Sequence, residues 1–436
     1  MRYELEILEK ILYYDLEGIS TRFPLYIYRT KENVKRESLE SAVGYAIQCH
    51  PLFGCRLAED EKGPFLETNP ERPIVPRLSP DMVYRYGNTD NHNYPWVVGF
   101  CGREIIFSGH HGITDGMGAT MFMRTVLYYY FKEQGIDCEP GKAVTLERVA
   151  PEYLEKETEC PIRKHGAQDI PSLYKPGELQ PTVFPDEILA ENVEDCAIHN
   201  LAISLEDIKR KCDEFGVSQF AVIATYVAQA ICSILPGTDN VVMMNIIADM
   251  RGMLDSCTTH NCVTSVPVAF TQKDLMRSDE LLCKKFRSQL DLGFNRDEVM
   301  HICFQYAQTE QQIGDNKEYL ATAAAQIVKQ YGFTVPVASV AYTHLTHIGF
   351  SEDMLRELDD IYINMSGFKM TGKQAIIALN AVTTDRVINL LLVDGTKDDL
   401  IFKALQKRLV DSQVSFDITE LDRYKGIIYS IRSGRE

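Results

Sequence analysis

His110-His111-Gly112-Ile113-Thr114-Asp115-Gly116 stands between a run of strand-forming residues and a helical pattern. Upstream, Trp96 to Phe100 and Glu104 to Phe107 flank Cys101-Gly102-Arg103, which predicts a hairpin whose second strand leads into His110. Downstream, Ala119, Phe122, Met123, Val126, Leu127 and Tyr130 recur as one apolar face of a helix beginning near Gly118. With 10 His and 27 Gly in 436 residues, a chance His-His-x-x-x-Asp-Gly arises in roughly one chain per thousand. Adjacent histidines at a strand end point to opposite faces, so one packs while the other looks into a cleft. A neutral imidazole there is a base of suitable strength near neutral pH. Gly112 can supply a turn and Gly116 a sharp bend. Asp115 has three possible uses: pairing with a distant Arg, orienting an imidazole, or capping the next helix.

Working outward, Phe23 to Arg29 reads as a strand. Leu39, Ala42, Val43, Ala46 and Ile47 then mark an amphipathic helix that stops at His50-Pro51, where proline denies the next turn its amide. Seven prolines fall between Pro140 and Pro185 with no regular period, which marks a linker. The division expected is an amino-terminal half over 1–165 carrying the motif, a linker over 166–195, and a carboxy-terminal half over 196–436. In the latter, Phe220 to Ile234 is a helix capped by Ser218 and ended by Pro236-Gly237. Strands are expected at Val241 to Ile247, Val263 to Phe270, Val335 to Tyr342, Gln374 to Val382 and Val387 to Val393, with helices near Leu281 to Leu290 and Leu400 to Leu409. Both halves mix strands and helices, so the fold class is α/β, and no short repeat suggests a solenoid or propeller.

Charge and composition narrow the function. There are 45 basic against 62 acidic side chains, a net charge of −17 and a pI near 5.1. Such a surface repels phosphates, so no nucleic acid partner is expected. No stretch approaches the length of a membrane helix, and Met1-Arg2-Tyr3-Glu4-Leu5-Glu6 lacks the basic-then-apolar start of a signal peptide. A cytoplasmic protein with no membrane partner is expected. The 12 cysteines are scattered without a Cys-x-x-Cys, which argues against a disulfide framework and a zinc site. Gly367 to Gln374 nearly matches a phosphate-binding loop, but Gln374 replaces the magnesium-holding hydroxyl and a strand pattern follows. His344-Leu345-Thr346-His347 has no third ligand suitably spaced for a metal. No Gly-x-Ser-x-Gly elbow is present.

The His-His-x-x-x-Asp-Gly string after a strand and before a helix resembles the signature of one acyltransferase superfamily. It includes chloramphenicol acetyltransferase, alcohol and polyketide-associated acyltransferases, and nonribosomal peptide condensation domains. The helix running into His50-Pro51-Leu52-Phe53 is similar to that superfamily's first helix and its stop. Asp249-Met250-Arg251, some ten residues before Asn261, resembles the Arg and later Asn of its second half. The resemblance implies two similar α/β halves with a tunnel between them, entered by acyl-CoA or an acyl carrier arm from one side and an acceptor, a small alcohol or amine, from the other. In it, His111 would be the general base, Asp115 a structural residue held by Arg251 across the halves, and Gly116 the keeper of the loop's shape. His110, Arg251 and Asn261 would support the site, and Tyr342 or Thr343 would line the tunnel or donate to an oxyanion. Acyl-CoA would be a co-substrate, with no permanently bound cofactor.

The chain also departs from its relatives. The Asp-Phe-Gly-Trp-Gly string of plant acyltransferases is absent, and Met117-Gly118 stands where condensation domains commonly have Trp-Ser. Three functions therefore compete: a CoA-dependent O- or N-acyltransferase, a free-standing condensation-type enzyme taking its acyl group from a carrier protein, and a degenerate binding protein of the same fold. The chain's acidity weighs against an acidic carrier partner, and the intact His111, Asp115 and Arg251 weigh against degeneracy.

Overall fold

The structure is a computed structural model that describes residues 1–14, 25–174, 182, 184–190, 197–237, 240–313, 338–344, 348–364, 377–384, 386–419, 424 and 426–429. The first half runs β1 (Arg2–Glu4), α1 (Ile7–Tyr14), β2 (Leu25–Thr30), α2 (Arg36–Cys49), β3 (Cys55–Asp60), β4 (Gly63–Thr68), β5 (Val83–Tyr86), β6 (Trp96–Cys101), β7 (Glu104–Gly109), α3 (Gly116–Glu133), α4 (Pro151–Glu157) and α5 (Pro161–His165). The second runs β8 (Ala197–Ser204), α6 (Leu205–Phe215), α7 (Gln219–Ile234), β9 (Val241–Asp249), α8 (Arg251–Leu254) and β10 (Val263–Thr271). Helices Asp279–Gly293 and Arg296–Ile313 follow, then β11 (Ala338–His344), β12 (Leu358–Asn364), β13 (Ile377–Thr383), β14 (Val387–Asp394), helix Leu400–Asp411, β15 (Phe416–Ile418) and β16 (Gly426–Tyr429).

The β6–β7 hairpin forms as its sequence predicts, with Gly102 in the left-handed region at φ +56°. Helix α2 ends at Cys49, and α7 begins where the Ser218 hydroxyl accepts the Ala221 amide. Helix α3 departs from expectation in one respect. It is buried all round from Gly118 to Phe131 rather than along one face, because it is packed in the core of the first half rather than laid on its surface.

Four of the sheets' strands, in the order β12-β2-β7-β6, carry the first half, and a seven-stranded mixed sheet, β10-β9-β11-β13-β14-β8-β15, carries the second. Each has its own apolar core. The crossover was not legible beforehand: β12, from the carboxy-terminal part of the chain, pairs antiparallel with β2, and β16 pairs parallel with β5. Buried Glu104 on β7 fastens this crossing. It accepts from Arg29 Nη2 at 2.8 Å and from Tyr424 Oη at 2.7 Å, and it also accepts from the Tyr362 hydroxyl of β12. Part of the proline-rich connection is held likewise. The Glu298 carboxylate accepts from the amides of Leu173 and Tyr174 at 2.7 and 2.9 Å and from the Ser172 hydroxyl at 2.6 Å.

The phosphate-loop lookalike at 367–374, and His347 of the His-x-x-His pair, lie outside the described residues. Among the described residues no single helix is long and apolar enough to cross a membrane, although α6 and α7, bent 96° apart, pass that test as a pair; α7 is largely core. The described cysteines are free thiols.

Candidate active site

The strand β7 ends at Gly109 and delivers His110, whose amide donates to the Pro95 carbonyl at 2.7 Å. His110 is buried, and its Nδ1 accepts the Gly112 amide at 3.0 Å. Burial first, then its histidine neighbour, pushes its imidazole down to about 3, so it stays neutral. His111 is only partly buried. Burial is also the main influence on His111 and lowers its pKa, while Asp115, Asn261 and backbone groups pull the other way. It is therefore a neutral, proton-accepting imidazole at neutral pH. Its carbonyl is fixed from the other half of the chain: Asn261 Nδ2 donates to His111 O at 2.7 Å.

Asp115 serves two of the three uses open to it. Its Oδ1 caps α3 by accepting the Gly118 amide at 2.8 Å. Both its oxygens accept from Arg251 Nη2 at 3.0 Å, and Oδ2 also accepts the Cys262 amide at 2.7 Å. Arg251 is the other half of a fully satisfied knot. Its Nε donates to Thr258 O at 2.7 Å, Nη1 to Asp249 Oδ1 at 2.7 Å, and Nη2 also to His260 O at 2.6 Å. Burial alone would lower this guanidinium's pKa, but Asp115 and Asp249 outweigh it and hold the pKa above the ordinary value. The loop approaches its surroundings too closely for larger residues. A Cβ on Gly118 would lie 2.6 Å from the Thr259 carbonyl, and one on Gly116 would lie 2.6 Å from the Tyr26 hydroxyl.

Sequence reasoning missed a second buried layer behind this loop. Glu9 of α1, fully buried, accepts from the Asn261 amide at 2.8 Å and faces His260 Nδ1 at 2.9 Å. Thr114 Oγ1 donates to Thr259 O at 2.8 Å, and Thr259 Oγ1 donates to Glu157 Oε1 at 2.6 Å. Thr258-Thr259-His260-Asn261 is thus a polar run with no exposed residue, tied into the first half at every position. Its sequence signal is a polar cluster directly before a strand; its partner Glu9, some 250 residues away, leaves none. Tyr342 and Thr343 lie on β11, but their side chains are outside the described residues. Among the described residues, no His, Cys, Asp and Glu side chains converge as metal ligands would. A shallow cleft lined by Leu355, Asp359, Asp360, Thr384, Arg386 and Asn389 opens elsewhere, and none of His111, Asp115 or Arg251 borders it.

This geometry can hold one neutral imidazole rigidly at the seam between two halves. The fold is shared with solved structures. TRI101 of F. graminearum, complexed with ethyl coenzyme A, superposes with a TM-score of 0.61 at 12% identity, covering 95% of this chain and 99% of its own. Polyketide synthase associated protein 5 from Mycobacterium tuberculosis gives 0.61 at 13% identity, covering 93% and 97%. TRI3 trichothecene 15-O-acetyltransferase from Fusarium sporotrichioides gives 0.57 at 12% identity, covering 94% of each chain. The chain has the acyltransferase and condensation-type fold. No family model matches it, and no curated protein does. Identities this low extend the likeness to the fold and no further.

Proposed function

We propose that this chain is an acyltransferase that moves an acyl group from acyl-CoA to the hydroxyl or amine of a small acceptor, with His111 as the general base. The observation that carries this reading is the state and position of His111. It is a neutral imidazole, partly exposed at the seam, with its carbonyl held by Asn261 and its loop locked by Asp115 and Arg251.

In this mechanism the acceptor's proton passes to the imidazole as its oxygen or nitrogen attacks the thioester carbonyl. The tetrahedral adduct then collapses by breaking the C–S bond, and the departing CoA sulfur takes the proton back, leaving His111 neutral for the next cycle. General base catalysis supplies about 100- to 10,000-fold, and positioning of the two substrates contributes further. His110 acts through packing, and Asp115, Gly116 and Arg251 hold the loop rather than touch the reacting atoms. Tyr342 and Thr343, at the end of β11, are the residues proposed for the tunnel wall and the oxyanion.

Two observations on neighbours favour this donor: TRI101 is complexed with ethyl coenzyme A, and TRI3 is named an O-acetyltransferase. The name of the polyketide synthase associated protein favours a second reading, in which the acyl group arrives on a carrier protein's arm. The chain's net charge of −17 separates the two. CoA's phosphates can bind such a protein only through local cations or amides, and salt screens those contacts. Calorimetry should therefore show acyl-CoA binding that weakens as salt rises, while acyl-pantetheine, lacking the nucleotide, binds more weakly and without salt dependence. No acyl-CoA binding at any ionic strength, together with turnover of an acylated carrier protein, would replace the first reading by the second.

A further inference from the structure

Arg124 lies in the middle of α3 and is only 4% exposed, yet it has no counter-ion among the described residues. One nitrogen, Nη1, donates to the Ile348 carbonyl, which belongs to the second half of the chain. Its Nε is buried with no partner among the described residues. Burial pushes this guanidinium's pKa down to about 10, and the only titratable groups described as acting on it are the phenols of Tyr153 and Tyr28. The Tyr153 hydroxyl is itself buried without a partner among the described residues.

An uncompensated buried cation is costly, and folded proteins avoid it. This chain has 62 acidic side chains, and it places two carboxylates on its other core arginine, Arg251. Among the described residues it places none on Arg124. The edge of a guanidinium formed by Nε and Nη2 is the fork that receives a carboxylate through two parallel hydrogen bonds. On Arg124 neither of these two nitrogens has an acceptor among the described residues, whereas Nη1 is engaged.

The position also fits. Arg124 is nine residues beyond the Asp115 cap, about 13 Å along the helix axis at 1.5 Å per residue. Tyr26 and Tyr28 share one face of β2 beside this stretch of helix. The Tyr26 hydroxyl adjoins Gly116 at the site, and Tyr28, stacked on Phe350, adjoins Arg124. The line from the histidine loop to Arg124 thus follows the seam between α3 and residues 348–350.

We propose that Arg124 is the counter-ion for a carboxylate on the substrate, borne by the acceptor or by the far end of the acyl chain and held in this seam while the reacting end lies at His111. The inference rests on the acyl-transfer reading for its second half only; the carboxylate site itself can be tested without catalysis. A buried, bidentate, charge-assisted pair discriminates by about 10- to 100-fold against a neutral isostere.

The test compares the parent, Arg124→Met and Arg124→Lys by thermal melting with 10-hydroxydecanoate against 10-hydroxydecanamide, and with the mono-CoA thioester of decanedioic acid against decanoyl-CoA, whose chains are long enough to span this distance. The carboxylate member of at least one pair should raise the parent's melting temperature more than its neutral counterpart. The first pair assigns the carboxylate to the acceptor and the second to the acyl group. The difference should vanish in Arg124→Met and partly return in Arg124→Lys. Arg124→Met without ligand should melt at or above the parent, since it removes an unpaired charge. In turnover, kcat/KM for the carboxylate substrate should fall by about 10- to 100-fold in Arg124→Met, with its neutral counterpart little changed. Equal responses to both members of both pairs, or a carboxylate response retained in Arg124→Met, would overturn the proposal. Weakened binding of every CoA derivative alike would give Arg124 to the nucleotide phosphates and overturn it too. A parent that binds the carboxylate but transfers no acyl group would sink the acyl-transfer reading and leave the site standing.

Discussion

His111→Ala is expected to lose at least about 100-fold in kcat while acyl-CoA binding, followed by calorimetry, stays near that of the parent. The residue's partial exposure, and the Asn261 bond to its backbone carbonyl, which an alanine keeps, are why truncation should spare the fold. The parent's pH profile carries the same signature. Burial lowers the pKa of His111, so its base form persists at neutral pH, and kcat/KM should fall only on the acid side, with a midpoint below that of a free imidazole. The sign follows from the role: a base is lost when it gains a proton. His110→Ala, by contrast, empties a core position and opens the Gly112 turn, so it should lower melting and activity together. Unchanged turnover in His111→Ala would remove the base assignment.

The second large effect concerns Asp115 and Arg251, 5% and 2% exposed at the Arg251 and Asp115 side chains. Removing Arg251 leaves the Asp115 carboxylate buried without a counter-ion, at about 3 to 5 kcal/mol, whereas removing Asp115 leaves Arg251 paired with Asp249 alone and costs less. Asp115→Ala additionally uncaps α3, about 1 kcal/mol more. Both single variants should unfold at lower denaturant, and the double variant should recover part of the summed loss, because no orphaned charge remains from the pair. Recovery will be incomplete, since Asp249 keeps its carboxylate beside the vacated guanidinium site. Strictly additive shifts would show that the two side chains do not act as a pair.

What the sequence made legible is local. The Cys101-Gly102-Arg103 turn, the proline after His50 and the Ser218 cap are short-range signals whose physics is complete within a few residues, and each marks an element where it stands. The histidine loop is of this kind: strand, turn, cap and helix lie within some twenty residues, and only Arg251 and Asn261 had to be found at a distance, through the resemblance. The strand β12 was not legible, since Leu358-Asp359-Asp360 breaks the apolar run and its partner β2 lies over 300 residues upstream. The Glu9 contacts to His260 and Asn261 span a similar gap, and no periodicity reports a contact between a helix near the start of the chain and a loop past its middle. Arg124 shows the other limit. It falls off the apolar stripe of α3, where a solvated arginine would fall too, and only packing on every side of that helix turns it into a buried cation.

The measurement closest to the central claim is acyl transfer itself. Acetyl-CoA and longer acyl-CoA donors would be incubated with a panel of alcohols and amines, with free thiol release and the mass of the acylated acceptor followed together, beside the same panel with a carrier-loaded donor. The account predicts thiol released in step with acylated acceptor for at least one pairing with a CoA donor, at a rate that His111→Ala lowers by at least about 100-fold. Binding of acyl-CoA with no acylated product from any donor, CoA or carrier, or equal product from the parent and His111→Ala, would contradict it.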